Sequence, residues 1–331
     1  MNLRSSGSLV LSKALEGFLS FKSAEGLSDR TVDTYDRLLQ KWSEHVGDRD
    51  LSKITAADIT GYLSWLRTDY TPHRFSGKTE PLSPKTLRNV WVTLCSFYSW
   101  ASRELHIANV MKDVPAPRFK VSPVEPFSQA DVQVMLKVCL YSKDVQPGNR
   151  KGFVMRLPYG HRDQAIIMVL VDTGLRAMEL CSLRVGDLDL KTGKVEIKHG
   201  VTGGAKGGKG RTVYLGKAAR RAVWRYLAER EDGEDDQALL FVSKDNRPFN
   251  PNSLRQLIQG IAERAGVKNA HPHRFRHTFA ITYLRSGGDV FTLQSILGHN
   301  SLDMVRRYAL IADLDVENAH RKASPADNWH L

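Results

Sequence analysis

The 331-residue chain lacks the features of membrane-embedded and secreted proteins. Its longest apolar run, from Ala165 to Val171, is far shorter than the roughly 20 residues of a membrane-spanning helix. Near the N-terminus, Arg4 is followed by Ser-rich sequence rather than by the apolar stretch of a signal peptide. The three cysteines show no metal-ligand spacing and cannot all pair. These absences predict a cytoplasmic protein in a reducing compartment, without a membrane partner.

What the chain has in excess is positive charge. It contains 48 Lys and Arg against 36 Asp and Glu, a net charge of +12 at pH 7. Residues 1–113 hold 15 basic and 13 acidic residues, whereas residues 114–331 hold 33 and 23. A protein this basic commonly binds a polyanion, most often a nucleic acid. The charge therefore predicts a nucleic-acid partner for the second half of the chain, and a merely solvated basic surface is the alternative.

Residues 1–113 are predicted to be entirely helical. Apolar residues recur at spacings of three and four in four separate stretches between residues 11 and 105. The third stretch opens with Thr55 and Asp58, which resemble a capping box, and the fourth opens with Ser83-Pro84, a helix start signal. Because each apolar stripe needs burial, four helices packed together are expected.

A proline-rich segment divides the chain. Four prolines within twelve residues predict an extended linker over residues 114–126. From residue 127 onward the pattern predicts helices at 128–141, 162–173, 176–184, 217–230, 251–265, 273–286, 290–297 and 301–311, and short strands near 187–190, 194–198 and 212–215. The expected fold class is mainly α with a small antiparallel β-sheet, in two domains: 1–113 helical, and 127–331 mixed α+β.

The first chemically distinctive motif surrounds Arg176. Gly174 is placed to end the preceding helix, and a new helix starting at Arg176 would put Arg176 and Glu179 on the same face as leucines. An arginine there is costly to bury unless it is paired or binds an anion. Taken alone, a simple ion pair between these two residues explains the motif better than a binding site does.

The second motif is His273-Arg274-Phe275-Arg276-His277. Arg276 lies on the helix stripe that continues through Phe279 and Ala280, with His273 one turn earlier on the same face. Arg274 points away from that stripe. Helical phase therefore selects His273 and Arg276 as the pair that faces a site.

Two further motifs complete the set. Leu297-Gly298-His299 precedes a helix in which Tyr308 comes nine residues after His299. The glycine-rich residues 203–210 carry Lys206 and Lys209 between two predicted strands. Taken alone, the first motif predicts that Tyr308 is a half-buried packing residue, and the second predicts a flexible turn.

In this order and spacing, however, the four motifs together resemble the tyrosine recombinase (phage integrase) family. The resemblance spans most of residues 127–312, and the helical residues 1–113 resemble that family's core-binding, SAM-like domain in layout alone. It implies a site-specific recombinase or integrase that cleaves and rejoins DNA through a covalent 3′-phosphotyrosine, without cofactor, metal or ATP. The residue types suit this chemistry, because guanidinium groups bind phosphodiester oxygens whereas Mg²⁺ requires carboxylates.

The resemblance also implies roles for individual residues. Tyr308 is the expected nucleophile. Arg176 and Arg276 are expected to bind the scissile phosphate. Glu179 would orient Arg176 without contacting the phosphate itself.

The remaining roles concern proton transfer and hydrogen bonding. Lys206 is expected to protonate the leaving 5′ hydroxyl, with Lys209 or Lys198 as alternatives. His273 would assist proton transfer or hydrogen-bond the phosphate, and His299 would add a further hydrogen bond to it.

The expected partner is duplex DNA with paired recombination sites. Four protomers would assemble on it from monomers or weak dimers, with residues 313–331 exchanged between protomers and accessory proteins as further partners. An insertion at 142–157 would contact DNA or a neighbouring subunit, or remain a solvated loop. Candidate DNA-binding side chains are Lys85, Arg88, Arg118, Lys120, Lys209, Arg211 and Arg274.

Three other functions remain open at this point. A type IB topoisomerase uses the same kind of site but relaxes DNA without a partner site. A DNA-binding protein of the same fold that has lost catalysis is a second alternative. A histidine-based metal phosphodiesterase is disfavoured because the histidines lack a neighbouring carboxylate cluster.

Overall fold

The computed structural model describes residues 9–73, 79–119, 125–142, 155–198, 210–298, 305–306, 308–309, 320 and 324–329. The chain divides into two compact units, residues 1–122 and 123–331, so the division falls inside the proline-rich segment at 114–126. Within the described ranges, no helix is long and apolar enough to cross a membrane.

Unit 1 is built from the four helices that the apolar stripes predict. These are α1 (Leu11–Ala24), α2 (Asp29–Val46), α3 (Ala56–Thr68) and α4 (Pro84–Glu104). Their buried faces form one core that contains large aromatic side chains such as Trp42, Tyr62 and Phe97. The predicted capping box is present at α3, where the Asp58 carboxylate accepts from the Thr55 backbone N–H at 2.8 Å and Thr55 Oγ1 accepts from the Asp58 N–H.

The first residue of the predicted linker is anchored in unit 1. Val114 is buried in the core of this unit, and its carbonyl accepts a hydrogen bond from Trp91 Nε1 at 3.1 Å. Following it, Pro115 and Pro117 line a cavity of about 510 Å³ together with residues of α3 and α4. The helical core of unit 1 therefore includes Val114, the first residue of the predicted linker.

Unit 2 is helical around a two-stranded sheet. The helices whose bounds lie in the described ranges are α5 (Gln129–Leu140), α6 (Gly160–Thr173), α7 (Ala177–Ser182), α8 (Lys217–Leu227), α9 (Pro251–Ala265), α10 (Pro272–Arg285), α11 (Val290–Leu297) and α12 (Pro325–Asn328). Strands β1 (Lys194–Ile197) and β2 (Arg211–Tyr214) pair antiparallel, with Lys194 opposite Tyr214 and Ile197 opposite Arg211. This is the predicted fold class: mainly α with a small antiparallel sheet.

The strand predicted at 187–190 is wrong. Residues Val185–Asp187 form a short 3₁₀ turn, and Leu188 makes a single antiparallel bridge to Val195. The turn forms because the Asp187 carboxylate accepts from the Arg184 backbone N–H at 2.9 Å, which bends the chain before a ladder can extend.

Helix α6 is the central element of unit 2. It packs against α5, α8 and α10, and its buried residues include Ile166, Ile167 and Leu170. The apolar run seen in the sequence is therefore a helix enclosed by other helices, as expected for a segment without a polar face. The Arg176 motif follows directly after the C-terminus of this helix.

The predicted insertion at 142–157 lies largely outside the described residues, which resume at Met155. Its two ends are joined, since the Ser142 N–H donates to the Met155 carbonyl and the Leu157 N–H donates to the Leu140 carbonyl, both at 2.8 Å.

Candidate active site: an arginine cluster beside Tyr308

The Arg176 motif begins with a sharp turn at Gly174. This residue ends α6 in the left-handed conformation, with φ +61°. A Cβ atom at this position would lie 2.6 Å from Phe279 Cδ1, so a side chain is excluded by space as well as by conformation. The turn directs the next residues back toward α10, which carries Arg276.

Arg176 is the N-cap of α7 rather than its first helical residue, contrary to the predicted helix start. Its backbone is extended, and its N–H donates to Glu179 Oε2 at 2.7 Å. The carboxylate three residues along the chain thus satisfies an N-terminal donor of the short helix. The Arg176 side chain therefore extends from the N-terminal end of α7, not along the face of that helix.

The Glu179 carboxylate lies between two of the arginines. It is 1% exposed and accepts from Arg176 Nη1 at 2.9 Å, and from Arg211 Nη1 and Nη2 at 2.8 and 2.7 Å. Burial alone would raise the pKa of Glu179, but the hydrogen bonds and charges of Arg211 and Arg176 outweigh burial, and the net pKa lies below its ordinary value. Glu179 is therefore an anion that fixes both guanidinium groups.

Arg211 lies inside this cluster. The sequence placed it among the candidate DNA contacts, but its side chain is only 9% exposed and its three guanidinium nitrogens all donate within the protein. Its position at the start of β2, opposite Ile197, turns it toward Glu179. Arg211 is thus placed to position Glu179, and through it Arg176.

Arg276 is the most deeply buried of the three arginines. It is 1% exposed, and its Nη1 and Nη2 donate to the carbonyls of Gly174 and Leu297 at 2.8 and 2.6 Å. Burial, followed by the charge of Arg176, lowers the pKa of Arg276 to about 10, so it stays protonated at neutral pH. The burial agrees with the phase of the helical stripe in α10.

The C-terminal end of α11 holds all three arginines. Three consecutive carbonyls, those of Ile296, Leu297 and Gly298, accept from Arg211 Nε at 2.7 Å, Arg276 Nη2 at 2.6 Å and Arg176 Nη2 at 3.2 Å. These are carbonyls that a helix terminus leaves without intrahelical partners, and the terminus carries partial negative charge. Gly298 makes this approach possible, because it has φ +63° and a Cβ there would meet Arg211 Cδ at 3.2 Å.

Tyr308 lies beside the cluster and is held by a histidine. It is 3% exposed and packs with Ala280 and Leu297, and its hydroxyl is 2.8 Å from His277 Nδ1. It lies close enough to Arg276 that an ionised Tyr308 would raise the pKa of that guanidinium. The packing agrees with a tyrosine on a helix stripe, whereas the bonded hydroxyl differs from that of an ordinary packing tyrosine, which points into solvent.

The histidines of α10 form a pair. His273 is exposed, and its ring meets that of His277 edge to face at a centroid distance of 4.2 Å. His277 received no role from the sequence, although its place four residues after His273 puts it on the same side of the helix. That spacing is the signal that would have indicated it.

Arg274, another predicted DNA contact, is engaged within unit 2. Its guanidinium lies over the Phe127 ring at 4.1 Å, and its Nε and Nη2 donate to the carbonyls of Glu125 and Pro126 at 3.0 and 3.5 Å. It therefore ties down the end of the proline-rich segment.

The described DNA-contact candidates of unit 1 are more accessible. Lys85 and Arg118 are exposed. Arg88 is half-buried and stacks on the Trp91 ring at 4.5 Å.

Several predicted site residues lie outside the described part of the chain: Lys120, Lys206, Lys209, His299 and most of 313–331. Lys198, the remaining alternative for the general acid, is described. Its Nζ is 2.5 Å from Asp187 Oδ1, and this bond raises its pKa above the ordinary value. A raised pKa makes Lys198 a poorer proton donor, which disfavours it.

Comparison with known proteins decides the family. Residues 153–314 match the phage integrase family, and residues 15–107 match the N-terminal SAM-like domain of phage integrases. The chain belongs to the phage integrase family, the tyrosine recombinases. This confirms the resemblance carried by the four motifs, and it makes the chain a member of a family of site-specific recombinases.

Individual relatives agree with the family. The chain is 28% identical to tyrosine recombinase XerD of Oceanobacillus iheyensis over 334 aligned residues, covering 96% of this chain and 99% of the relative. It is 26% identical to tyrosine recombinase XerC of Staphylococcus epidermidis, covering 95% and 98%. In structure it resembles the Tn1549 transposon integrase, solved with a circular-intermediate DNA, at TM-score 0.70 and 19% identity, covering 89% and 94%. This last likeness shows a shared fold.

Proposed function

We propose that this tyrosine recombinase family member is an active site-specific recombinase, which cleaves and rejoins DNA strands through a covalent 3′-phosphotyrosine at Tyr308. The observation that carries the proposal is the arginine cluster beside Tyr308. Two guanidinium groups, those of Arg176 and Arg211, bind the Glu179 carboxylate. The third, that of Arg276, lies beside them and donates to the carbonyls of Gly174 and Leu297. Such a cluster has a net positive charge that an anion would neutralise.

The anion that fits this cluster is a phosphodiester. Its single negative charge increases as a nucleophile adds to phosphorus, and fixed cations placed there stabilise the transition state more than the ground state. Arg176 is the arginine with solvent access, since its side chain is 39% exposed. In this proposal Arg176 and Arg276 bind the scissile phosphate, while Glu179 and Arg211 hold Arg176 in place.

The reaction needs neither ATP nor a metal ion, because the phosphotyrosine bond conserves the energy of the broken phosphodiester. Lys206 protonates the departing 5′ oxygen, with Lys209 as the alternative. His273 and His299 donate hydrogen bonds to the phosphate.

DNA binding is shared between the two units. Residues 1–113 form the core-binding domain, and the segment at 114–126 crosses the DNA backbone. The exposed cations Lys85 and Arg118 supply contacts that are independent of sequence. Four protomers act on two paired sites in the cytoplasm, and residues 313–331 pack on a neighbouring protomer.

The test is covalent trapping on a nicked suicide DNA substrate. The wild-type chain should form an adduct that survives denaturing electrophoresis, and Tyr308→Phe should abolish it while leaving noncovalent DNA binding intact. Tyr283→Phe is the matched control, because Tyr283 packs against the same small core from α10, and it should leave the adduct unchanged. An adduct that persists in Tyr308→Phe would refute the assignment of the nucleophile.

A further inference from the structure

The hydrogen bond between His277 and Tyr308 calls for a chemical explanation. His277 Nδ1 lies 2.8 Å from the Tyr308 hydroxyl oxygen, and the two ring centroids are 5.4 Å apart. Tyr308 is 3% exposed, and His277 is partly buried. A hydroxyl removed from water in this way needs partners within the protein, and the His277 imidazole is one of them.

Attack on phosphorus requires the phenol to lose its proton. A tyrosine hydroxyl has an ordinary pKa near 10 and is almost fully protonated at neutral pH. The proton must therefore pass to a base within hydrogen-bond reach as the oxygen–phosphorus bond forms. His277 Nδ1 meets that geometric requirement in the structure.

We propose that His277 is the general base for Tyr308: its Nδ1 accepts the hydroxyl hydrogen bond at rest and takes the proton during cleavage. This inference rests on the proposed function. In the step, the bond from Tyr308 oxygen to phosphorus forms as the bond from phosphorus to the 5′ oxygen breaks. The tyrosine proton goes to His277, and the 5′ oxygen takes its proton from the separate general acid, Lys206.

The surroundings of His277 suit this step. On α10 it faces His273 edge to face, and it lies next in sequence to the Arg276 cation. From the other side it faces Tyr308. A neutral imidazole can accept this hydrogen bond at Nδ1 when its other ring nitrogen carries the hydrogen. The negative charge that develops on the phosphate then compensates the imidazolium that forms.

The experiment measures the first-order rate of adduct formation on the suicide substrate with DNA-saturated protein. His277→Ala should cleave about 100-fold more slowly than wild type. His277→Gln should be equally slow, because its amide oxygen accepts the phenol hydrogen bond but cannot take a proton. Both variants should bind DNA normally. His161→Ala is the control, because His161 lies in the N-terminal turn of α6. This turn is about 20 Å from the Gly174 end of the helix at 1.5 Å per residue.

A second substrate separates this role from protonation of the leaving group. In a 5′-bridging phosphorothiolate DNA the departing sulfur needs no proton, so loss of a general acid becomes harmless. His277 variants should remain slow on this substrate, whereas Lys206→Ala should recover.

Three results would overturn the inference. They are wild-type cleavage by His277→Gln, recovery of the His277 variants on the phosphorothiolate, and cleavage by His277→Ala that is faster than wild type. The last would mean that the bond restrains Tyr308 instead of activating it. Absence of any adduct with the wild-type chain would contradict the proposed function itself, which keeps the two failures distinct. If His277→Ala does not fold, His277→Gln and His277→Asn provide the same comparison.

Discussion

Replacing Glu179 by glutamine should destabilise unit 2 and disable the cluster together. Glu179 accepts three side-chain hydrogen bonds from Arg176 and Arg211, and a fourth from the Arg176 backbone. In the Glu179→Gln variant the negative charge is lost, and an amide N–H faces N–H donors. The buried Arg211 guanidinium is then left without an anion.

The magnitude follows from burial. Breaking a buried ion pair by removing one partner costs about 3–5 kcal/mol. The Arg211 side chain is 9% exposed, so this cost applies to its ion pair with Glu179. The Arg176 side chain is 39% exposed, so solvent screens its ion pair with Glu179 and that pair contributes less. We therefore expect a loss near the low end, about 3 kcal/mol. With a urea dependence of about 2 kcal/mol per molar, the unfolding midpoint falls by about 1.5 M.

The assay is urea unfolding of the full chain, monitored by hydrogen–deuterium exchange. Peptides from α7 and α10 report on the unfolding of unit 2. The control is Glu229→Gln. Glu229 also forms a 2.6 Å ion pair, with His161, but its side chain is 48% exposed, so it should cost less than 1 kcal/mol. Equal midpoints for wild type and Glu179→Gln would show that the cluster does not depend on its carboxylate.

The pH dependence has a defined sign. Because the pKa of Glu179 is lowered in the folded chain, its contribution to stability is complete above its ordinary value of 4.5 and is lost as pH falls through the folded pKa. The stability difference between wild type and Glu179→Gln should therefore be constant near neutral pH and should narrow progressively below about pH 4.5.

Two other predictions concern the turn before Arg176 and the choice of general acid. Gly174→Ala should lose about 2 kcal/mol or more in thermal unfolding and should slow adduct formation, because the new Cβ meets Phe279 Cδ1 at 2.6 Å with φ +61°. Gly61→Ala, inside α3 with open space around it, should be neutral or slightly stabilising. Lys206→Ala should slow cleavage of ordinary DNA by about 100-fold and recover on the phosphorothiolate substrate, whereas Lys209→Ala should do neither; the reverse pattern would exchange their roles.

Local sequence patterns predicted the elements that depend on neighbouring residues. The phase of apolar residues located the helices of both units, and the caps at Thr55 and Ser83 marked helix starts that the structure retains. Phase also placed Arg276 on the buried stripe of α10. Such features are readable because helix periodicity and capping involve residues only three or four positions apart.

Where a short-range competitor was present, the local prediction failed. Arg176 was expected to begin a helix, but the Glu179 carboxylate captures its backbone N–H and makes it the cap. A strand was expected at 187–190, but the Asp187 side chain closes a turn there. In both places a carboxylate three residues along the chain competes with the regular backbone pattern.

The sequence by itself determined the fold class, the family and the order of the chemical motifs. It also determined that a basic chain lacking membrane-spanning and disulfide signatures would carry its charge excess in the second half. The family followed from the resemblance of the four motifs to known tyrosine recombinases. The other properties follow from composition, local periodicity and spacing, which need no knowledge of distant contacts.

Only the tertiary structure decided how the charges are used. It set Arg176, Arg211 and Arg276 on consecutive carbonyls at the end of α11, and it placed Arg211, a predicted DNA contact, in a buried position against Glu179. It also joined His277 to Tyr308 across 31 positions of sequence. The physical reason is that the last carbonyls of a helix have no intrahelical partners and accept hydrogen bonds from any donors that pack against them. Which donors pack there depends on contacts between distant residues, and local sequence periodicity does not predict those contacts.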